Sequence, residues 1–183
     1  LEDYMERNLD KKVRLIIIGN GILKKSIITK CVELRNRYRT FRFSHMDKCS
    51  YMQMQYIQSI SDIYIMLQRI SIFDLSTLEM MSKGKMIILS STGGNREFNR
   101  ENNILFSDEN VFGKINMENI KTFGRRNQYV FKKYFSQKSF CMSYGRLIEK
   151  LLGRKNKSEI ENQYLITNEI YKMLVELKEE RNE

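Results

Sequence analysis

Val13–Gly19 is an almost uninterrupted apolar run, closed by Gly19-Asn20-Gly21. Such a run predicts a buried parallel strand entering a tight turn. Ile22–Arg35 then carries Ile27, Ile28, Cys31, Val32 and Leu34 with lysines between them, the spacing of an amphipathic helix. Thr40–Phe43 reads as a second short strand. In Tyr51–Ile60, Met52, Tyr56 and Ile60 recur every fourth residue and predict a helix. Ile63–Leu67, Met86–Ser90 and Asn103–Phe106 read as further strands, with Leu75–Met81 as a helix between the first two.

Alternation of strand and helix predicts an α/β fold with a Rossmann-like parallel sheet covered on both faces. From Asn116 onward the pattern is helical, interrupted by Gly124 and Gly145 and stopped at Gly153. Ser158 followed by Glu161 forms a capping box, and Ile160, Tyr164, Ile170, Leu174 and Leu177 continue a last helix. The expected organisation is therefore one domain over residues 1–152 and a C-terminal amphipathic helix over 153–183.

Composition narrows the function classes. Of 183 residues, 42% are hydrophobic and 30% charged, ordinary values for a soluble globular chain. Cys31, Cys49 and Cys141 form no Cys-x-x-Cys pair, and His45 is the single histidine. A disulfide framework and a histidine-rich metal site are thereby excluded, and a reducing, cytoplasmic setting is expected. No apolar run is long enough for a membrane span. The net charge of +10 favours a polyanion: a nucleotide phosphate, an anionic membrane surface or nucleic acid.

Three loops carry candidate chemistry. Gly19 and Gly21 allow the backbone to approach a phosphate at a helix N-terminus. Lys24 stands where a dinucleotide fingerprint needs a third glycine, which argues against NAD; an ordinary strand-to-helix turn remains the alternative. The second loop, Arg69 to Asp74, enters a helix at Leu75, with Ser76 and Thr77 in its first turn and Glu79 one turn in. A carboxylate there can accept both hydroxyls of a ribose; offsetting the helix dipole or pairing with Lys83 are the plainer roles. The third is Ser90-Ser91-Thr92-Gly93-Gly94-Asn95-Arg96-Glu97. All three are expected at the carboxyl ends of parallel strands, where open α/β sheets bind ligands.

Leu78-Glu79-Met80-Met81-Ser82-Lys83-Gly84-Lys85 is similar to the Leu-Glu-Ala-Met-x-x-Gly-Lys-Pro of family 4 glycosyltransferases, also called glycosyltransferase group 1. Ile87-Ile88-Leu89-Ser90, Thr92-Gly93-Gly94 with Glu97, and Glu101-Asn102-Asn103-Ile104-Leu105-Phe106 follow in that family's order. Ser61-Asp62-Ile63-Tyr64-Ile65 and Phe135-Ser136 add to the likeness, which runs from Lys12 to Leu152. The chain thus resembles the C-terminal, nucleotide-sugar-binding domain of a two-domain GT-B enzyme.

The resemblance implies a retaining transfer of sugar from a nucleotide-diphospho-sugar to a glycan, lipid or protein acceptor, with no metal and no other cofactor. It implies that Glu79 holds the ribose, that Phe73, Leu75, Ser76 and Thr92-Gly93-Gly94 lie near diphosphate and sugar, and that turn residues Ser44-His45-Met46 lie beside the base. A second glutamate of the family falls at Ser71, eight positions before Glu79, and Asp74 replaces a usual glycine while offering a nearby carboxylate. Ser71 and Asp74 therefore hold the candidate catalytic positions. Met86 replaces the family's proline, and the stretch between Asn110 and Gly124 is shorter by roughly one helix of about ten residues.

An Arg-and-Lys phosphate clamp and a first strand normally precede the strand at Val13. A chain opening on Leu1 is expected to lack both, together with the acceptor domain, and on its own to transfer nothing. A non-catalytic binding or scaffold relative is the alternative that Ser71 supports. A basic nucleic-acid-binding domain is the lesser rival, resting on Lys24-Lys25, Arg35–Arg42, Arg125-Arg126 and Lys132-Lys133. Basic residues around Lys150–Lys157 are compatible with peripheral contact at the inner face of a membrane. Oligomeric state, nucleotide, sugar and acceptor are not encoded in any motif.

Overall fold

In the computed structural model, residues 1–107 and 110–152 are described. The order is α1 (Glu2–Arg7), β1 (Val13–Ile18), α2 (Lys24–Arg37), β2 (Phe41–Met46), α3 (Tyr51–Ile60), β3 (Ile63–Met66), α4 (Leu75–Ser82), β4 (Met86–Leu89), β5 (Leu105–Phe106), α5 (Met117–Val130) and α6 (Gln137–Leu152). Short 3-10 turns cover Gly93–Phe98 and Val111–Lys114, and a π-turn, Phe131–Phe135, joins α5 to α6. The fold is α/β, with every strand pair parallel. No helix among the described residues is long and apolar enough to cross a membrane.

The strands do not form one ladder. β1 pairs with β2, and β3, β4 and β5 form a separate sheet with β4 in the middle. The burial follows from that order. Every residue of β4 is buried, whereas β1 and β3 are half-buried along most of their length. On one face of β4, Ile87 and Leu89 pack with Met80, Met81, Phe98, Ile104 and Val130. On the other, Met86 and Ile88 meet Leu105 and Val111. Each such burial contributes about 1.5–3 kcal/mol. A further cluster of Met5, Cys31, Leu34, Tyr38 and Phe41 holds α1 and α2 to the first sheet.

Several element ends differ from the sequence reading, each for a local reason. Ser44, His45 and Met46 are the last residues of β2 rather than a turn, because pairing with Ile16, Ile17 and Ile18 carries the strand to Met46. The fifth strand shrinks to Leu105–Phe106 because the Ile104 N–H is taken by the Asn99 side chain at 3.2 Å, and only Leu105 and Phe106 pair with β4. α3 begins where Ser50 and Gln53 form a capping box, a signal that the apolar spacing alone does not reveal. Gly124 is no mere weak point in α5: a Cβ there would stand 2.2 Å from the Gly84 carbonyl oxygen, so only glycine lets α5 close on that turn. The expected stop at Gly153 and the helix from Ser158 lie outside the described residues.

Buried polar side chains tie these layers together. Asn127 of α5 donates to the Lys85 carbonyl (2.7 Å) and accepts from the Asn103 amide (2.8 Å). Asn103 in turn donates to the Phe98 carbonyl at 3.0 Å. Asn127 and Asn103 are fully buried, so every unmade bond there carries its desolvation cost. Truncation of Asn127 to alanine is expected to cost about 2–3 kcal/mol of unfolding free energy, since it strands two polar partners. Urea denaturation of Asn127→Ala against the parent chain measures this, and an unchanged midpoint would remove the network from the account.

Candidate functional site

The loop between β3 and α4 is held by its own polar atoms. Asp74 is the N-cap of α4, and its carboxylate accepts from the Ser76 backbone N–H (3.1 Å), the Ser76 hydroxyl (2.7 Å), the Thr77 hydroxyl (2.9 Å) and the Tyr64 hydroxyl (3.0 Å). Four donors hold this carboxylate in place. Burial pushes the Tyr64 phenol well above its usual range, so it stays a neutral donor to Asp74. Ser71 is buried, and its hydroxyl donates to the side-chain oxygen of Asn95 at 2.7 Å. The two candidate catalytic positions are thus engaged in building the loop.

The next loop is pressed against this one. Gly93 adopts φ 47, and a Cβ on it would lie 2.0 Å from the Ser71 carbonyl oxygen; on Gly94 it would lie 1.6 Å from that of Ile72. Neither position can hold a side chain. The Gly94 N–H donates to the Ser71 carbonyl at 3.0 Å, and the Ser90 and Thr92 hydroxyls both donate to the Gln68 carbonyl. Asn95, fully buried, donates back to the Ser90 carbonyl. Polar atoms therefore face inward, and apolar ones face out: Ile70 is 86% exposed, Ile72 90% and Leu75 68%. Phe73 lies between these sets, with its ring 4.6 Å from Phe98 and 6.4 Å from Phe135.

Glu79 sits on the second turn of α4 and is partly buried. Its carboxylate accepts from the side-chain amide of Gln58 on α3. Gln58 is itself buried, and among the described residues its Oε1 has no hydrogen-bond partner. Among the described residues, no hydrogen bond joins Glu79 to the Thr92–Gly94 turn. The side chain it meets is on α3.

A second cluster lies at the ends of β1 and β2. Gly19 adopts φ 131, a conformation open to glycine, and its N–H donates to the Met46 carbonyl at 2.9 Å. The His45 ring donates from Nε2 to the Gly19 carbonyl at 2.9 Å. Lys24 in the first turn of α2 pairs with Asp47, and its ammonium holds that carboxyl below the usual range. Among the described residues the space beside Gly19 and Gly21 is open: a Cβ on either would meet no heavy atom of theirs within 4 Å. α2 carries no side-chain cap, and no acidic residue stands in its first turn. The Lys24 N–H donates to the Gly21 carbonyl at 3.0 Å, and Lys25 follows Lys24 in the first turn.

Three groupings result: Ser71 and Asp74 with Phe73, Leu75, Ser76 and the Thr92–Gly94 turn; Gly19 with His45 and Met46; and Glu79 with Gln58. Ser44 bonds instead to the Arg14 guanidinium at 3.3 Å. Gly21 stands beyond Gly19 in the same turn. The sequence reading passed over Asn95, Gln68, Tyr64 and Gln58. A signal for Asn95 was present, since an asparagine directly after two glycines suits a turn that a side-chain amide must close. Gln58 offered none. Among the described residues, no group of three or more His, Cys, Asp or Glu could hold a metal ion.

Asp74→Ala is expected to destabilise the chain by about 1–2 kcal/mol, as loss of an N-cap does. Gly93→Ala should lower the melting temperature further than a surface Gly→Ala change, because the new methyl meets backbone. Thermal denaturation of both variants checks the packing of the two loops. No protein-family model matches the chain, and neither does any curated protein.

Proposed function

We propose that this chain is the nucleotide-sugar-binding domain of a retaining glycosyltransferase of the GT-B type. The observation that carries the reading is the joining of two loops after adjacent parallel strands. Residues 67–74 after β3 and 90–95 after β4 lock together at one rim, beside a helix that carries Glu79 in the motif order. Ligands of open α/β sheets bind outside the carboxyl ends of such strands.

Physical chemistry assigns the parts of the donor. The N-terminus of α4 already holds the Asp74 carboxylate, so a diphosphate is repelled there. The Gly19–Gly21 turn differs: it opens on space, α2 has no side-chain cap, and Lys25 stands beside Lys24, whose ammonium is paired with Asp47. That turn is the better place for the diphosphate. Exposed Ile72, Phe73 and Leu75 then supply an apolar wall, and Glu79 accepts the ribose hydroxyls once it gives up or shares the Gln58 amide. Cations and backbone dipoles would stabilise the departing diphosphate as the sugar becomes cation-like.

A second reading, a binding or scaffold relative without transfer activity, is favoured by one observation. Ser71 has no carboxylate, and Asp74 has four donors that fix it as a cap. Joining an acceptor domain to this chain and assaying donor hydrolysis separates the two, because the scaffold reading predicts binding with no turnover.

Calorimetry with UDP, GDP and ADP and their sugars tests the main reading. One of these ligands is expected to bind, and Glu79→Ala should weaken it about ten- to a hundredfold, the loss of a charged hydrogen bond worth about 1.5–3 kcal/mol. Failure of the whole panel to bind contradicts the proposal; binding that ignores Glu79→Ala removes that residue from the site.

A further inference from the structure

α3 meets its neighbours with polar groups. Its regularly spaced Met52, Tyr56 and Ile60 are all exposed, and among the described residues none of α3 belongs to the three apolar clusters. The side that meets α4 and the turn into β4 works by hydrogen bonds instead. Gln58 donates to the Glu79 carboxylate, Gln55 accepts from the Lys83 ammonium, and the Ser59 carbonyl accepts from Lys85 at 2.7 Å.

That arrangement overrides a local preference. Glu79 and Lys83 stand four residues apart at the end of α4, with the glutamate on the N-terminal side, the favoured order for an ion pair along a helix. Among the described residues they form none. Gln55 and Gln58, three apart on α3, take one charge each. A glutamine side chain carries both an acceptor and a donor, so the same residue type serves the ammonium with its oxygen and the carboxylate with its nitrogen.

Gln58 shows that the amide is there for Glu79. It is buried, and its Oε1 has no partner among the described residues, so the desolvation cost of that oxygen is carried in full. Turning the amide over would set Oε1 against the Glu79 carboxylate, which fixes the orientation. An apolar side chain of similar length would avoid the cost. What glutamine adds is the bond to Glu79.

We infer that Gln55 and Gln58 are positioning residues for recognition at Glu79: they divert Lys83 and hold the carboxylate on a neutral donor, which leaves it to accept the hydroxyls of a ligand. The Gln58 amide occupies Oε2 of Glu79, and among the described residues Oε1 has no hydrogen-bond partner. A hydroxyl can therefore be added without breaking the Gln58 bond. An ammonium on the same carboxylate would be a harder competitor, since charge on both partners strengthens the bond. The nature of the ligand rests on the nucleotide-sugar reading above; the separation of the two charges rests on α3 and α4 alone.

Crystal structures and calorimetry test this with Gln58→Met, with Gln55→Met at a half-buried position, with Lys83→Met, and with each glutamine variant combined with Lys83→Met. The parent is expected to keep Glu79 and Lys83 apart, and either glutamine variant to bring the ammonium within about 4 Å of the carboxylate. Whichever of UDP, GDP and ADP binds the parent should bind the glutamine variants about fivefold more weakly, the upper scale for a partly exposed ion pair. Adding Lys83→Met should restore parental affinity, whereas a loss due to disturbed packing would persist. Lys83→Met alone should bind as the parent does. A Glu79–Lys83 pair in the parent overturns the inference, as do charges that stay apart in both glutamine variants. Unchanged affinity in both, a loss that Lys83→Met does not restore, or weaker binding by Lys83→Met alone overturns it as well. If no nucleotide binds the parent while the charges separate and close as expected, the nucleotide-sugar reading falls and the role of the glutamines in holding the charges apart stands.

Discussion

Two peptide segments approach each other so closely at Gly93 and Gly94 that no side chain fits between them, and the rim of the β3-β4-β5 sheet takes its shape from that contact. Ser71 and Ile72 present their carbonyl oxygens to the glycines, and the Gly94 N–H answers one of them. Once the backbones are this near, the polar groups beneath need partners that water cannot supply. Ser71, Ser90, Thr92 and Gln68 satisfy one another, with Asn95 closing the set. The apolar side chains of Ile70 and Ile72 are thereby turned outward. A loop rich in isoleucine thus displays an apolar crest because its polar half is spent on internal bonds.

The same logic recurs at the opposite end of β4. Gly124 brings α5 against the Gly84 turn, and Asn127 then reaches the Lys85 carbonyl and Asn103. A glycine sets the distance and an asparagine satisfies the groups that the close approach buries. Glu101, Lys133 and Tyr134 extend the tie outward to the π-turn, and hydrogen bonding from Lys133 holds the Glu101 carboxyl below its usual range. Phe135, at the end of that turn, meets Phe98 and Phe73. The β3–α4 loop is consequently anchored from two directions, by glycine contact on one side and by aromatic packing on the other.

Periodicity made α3, α4, β3 and β4 legible, because each combines a regular apolar spacing with a definite boundary. The α/β class and the parallel direction followed from their alternation. Continuity of the sheet was not legible, since an apolar run such as Val13–Ile18 reads alike whether it has one partner or two. The role of Asp74 was hidden for a related reason: a carboxylate beside a helix start serves as cap or as chemistry, and only its four donors in the fold decide between them. Glu79 was readable as a residue of α4, while its partner Gln58 lies on another helix and leaves no trace in the local pattern. Glycines were visible as turns; that Gly93 and Gly94 meet backbone of their own chain was not.

The central claim is that the open turn after β1 and the helix carrying Glu79 serve one phosphate-bearing ligand. Chemical-shift mapping during titration with UDP, GDP and ADP in turn tests it most directly. One nucleotide should shift the amides of Gly19, Asn20 and Gly21 together with those around Glu79, at the same ligand concentration. Shifts confined to one of these two places, or scattered over the lysines of α5 and the π-turn, would contradict the account.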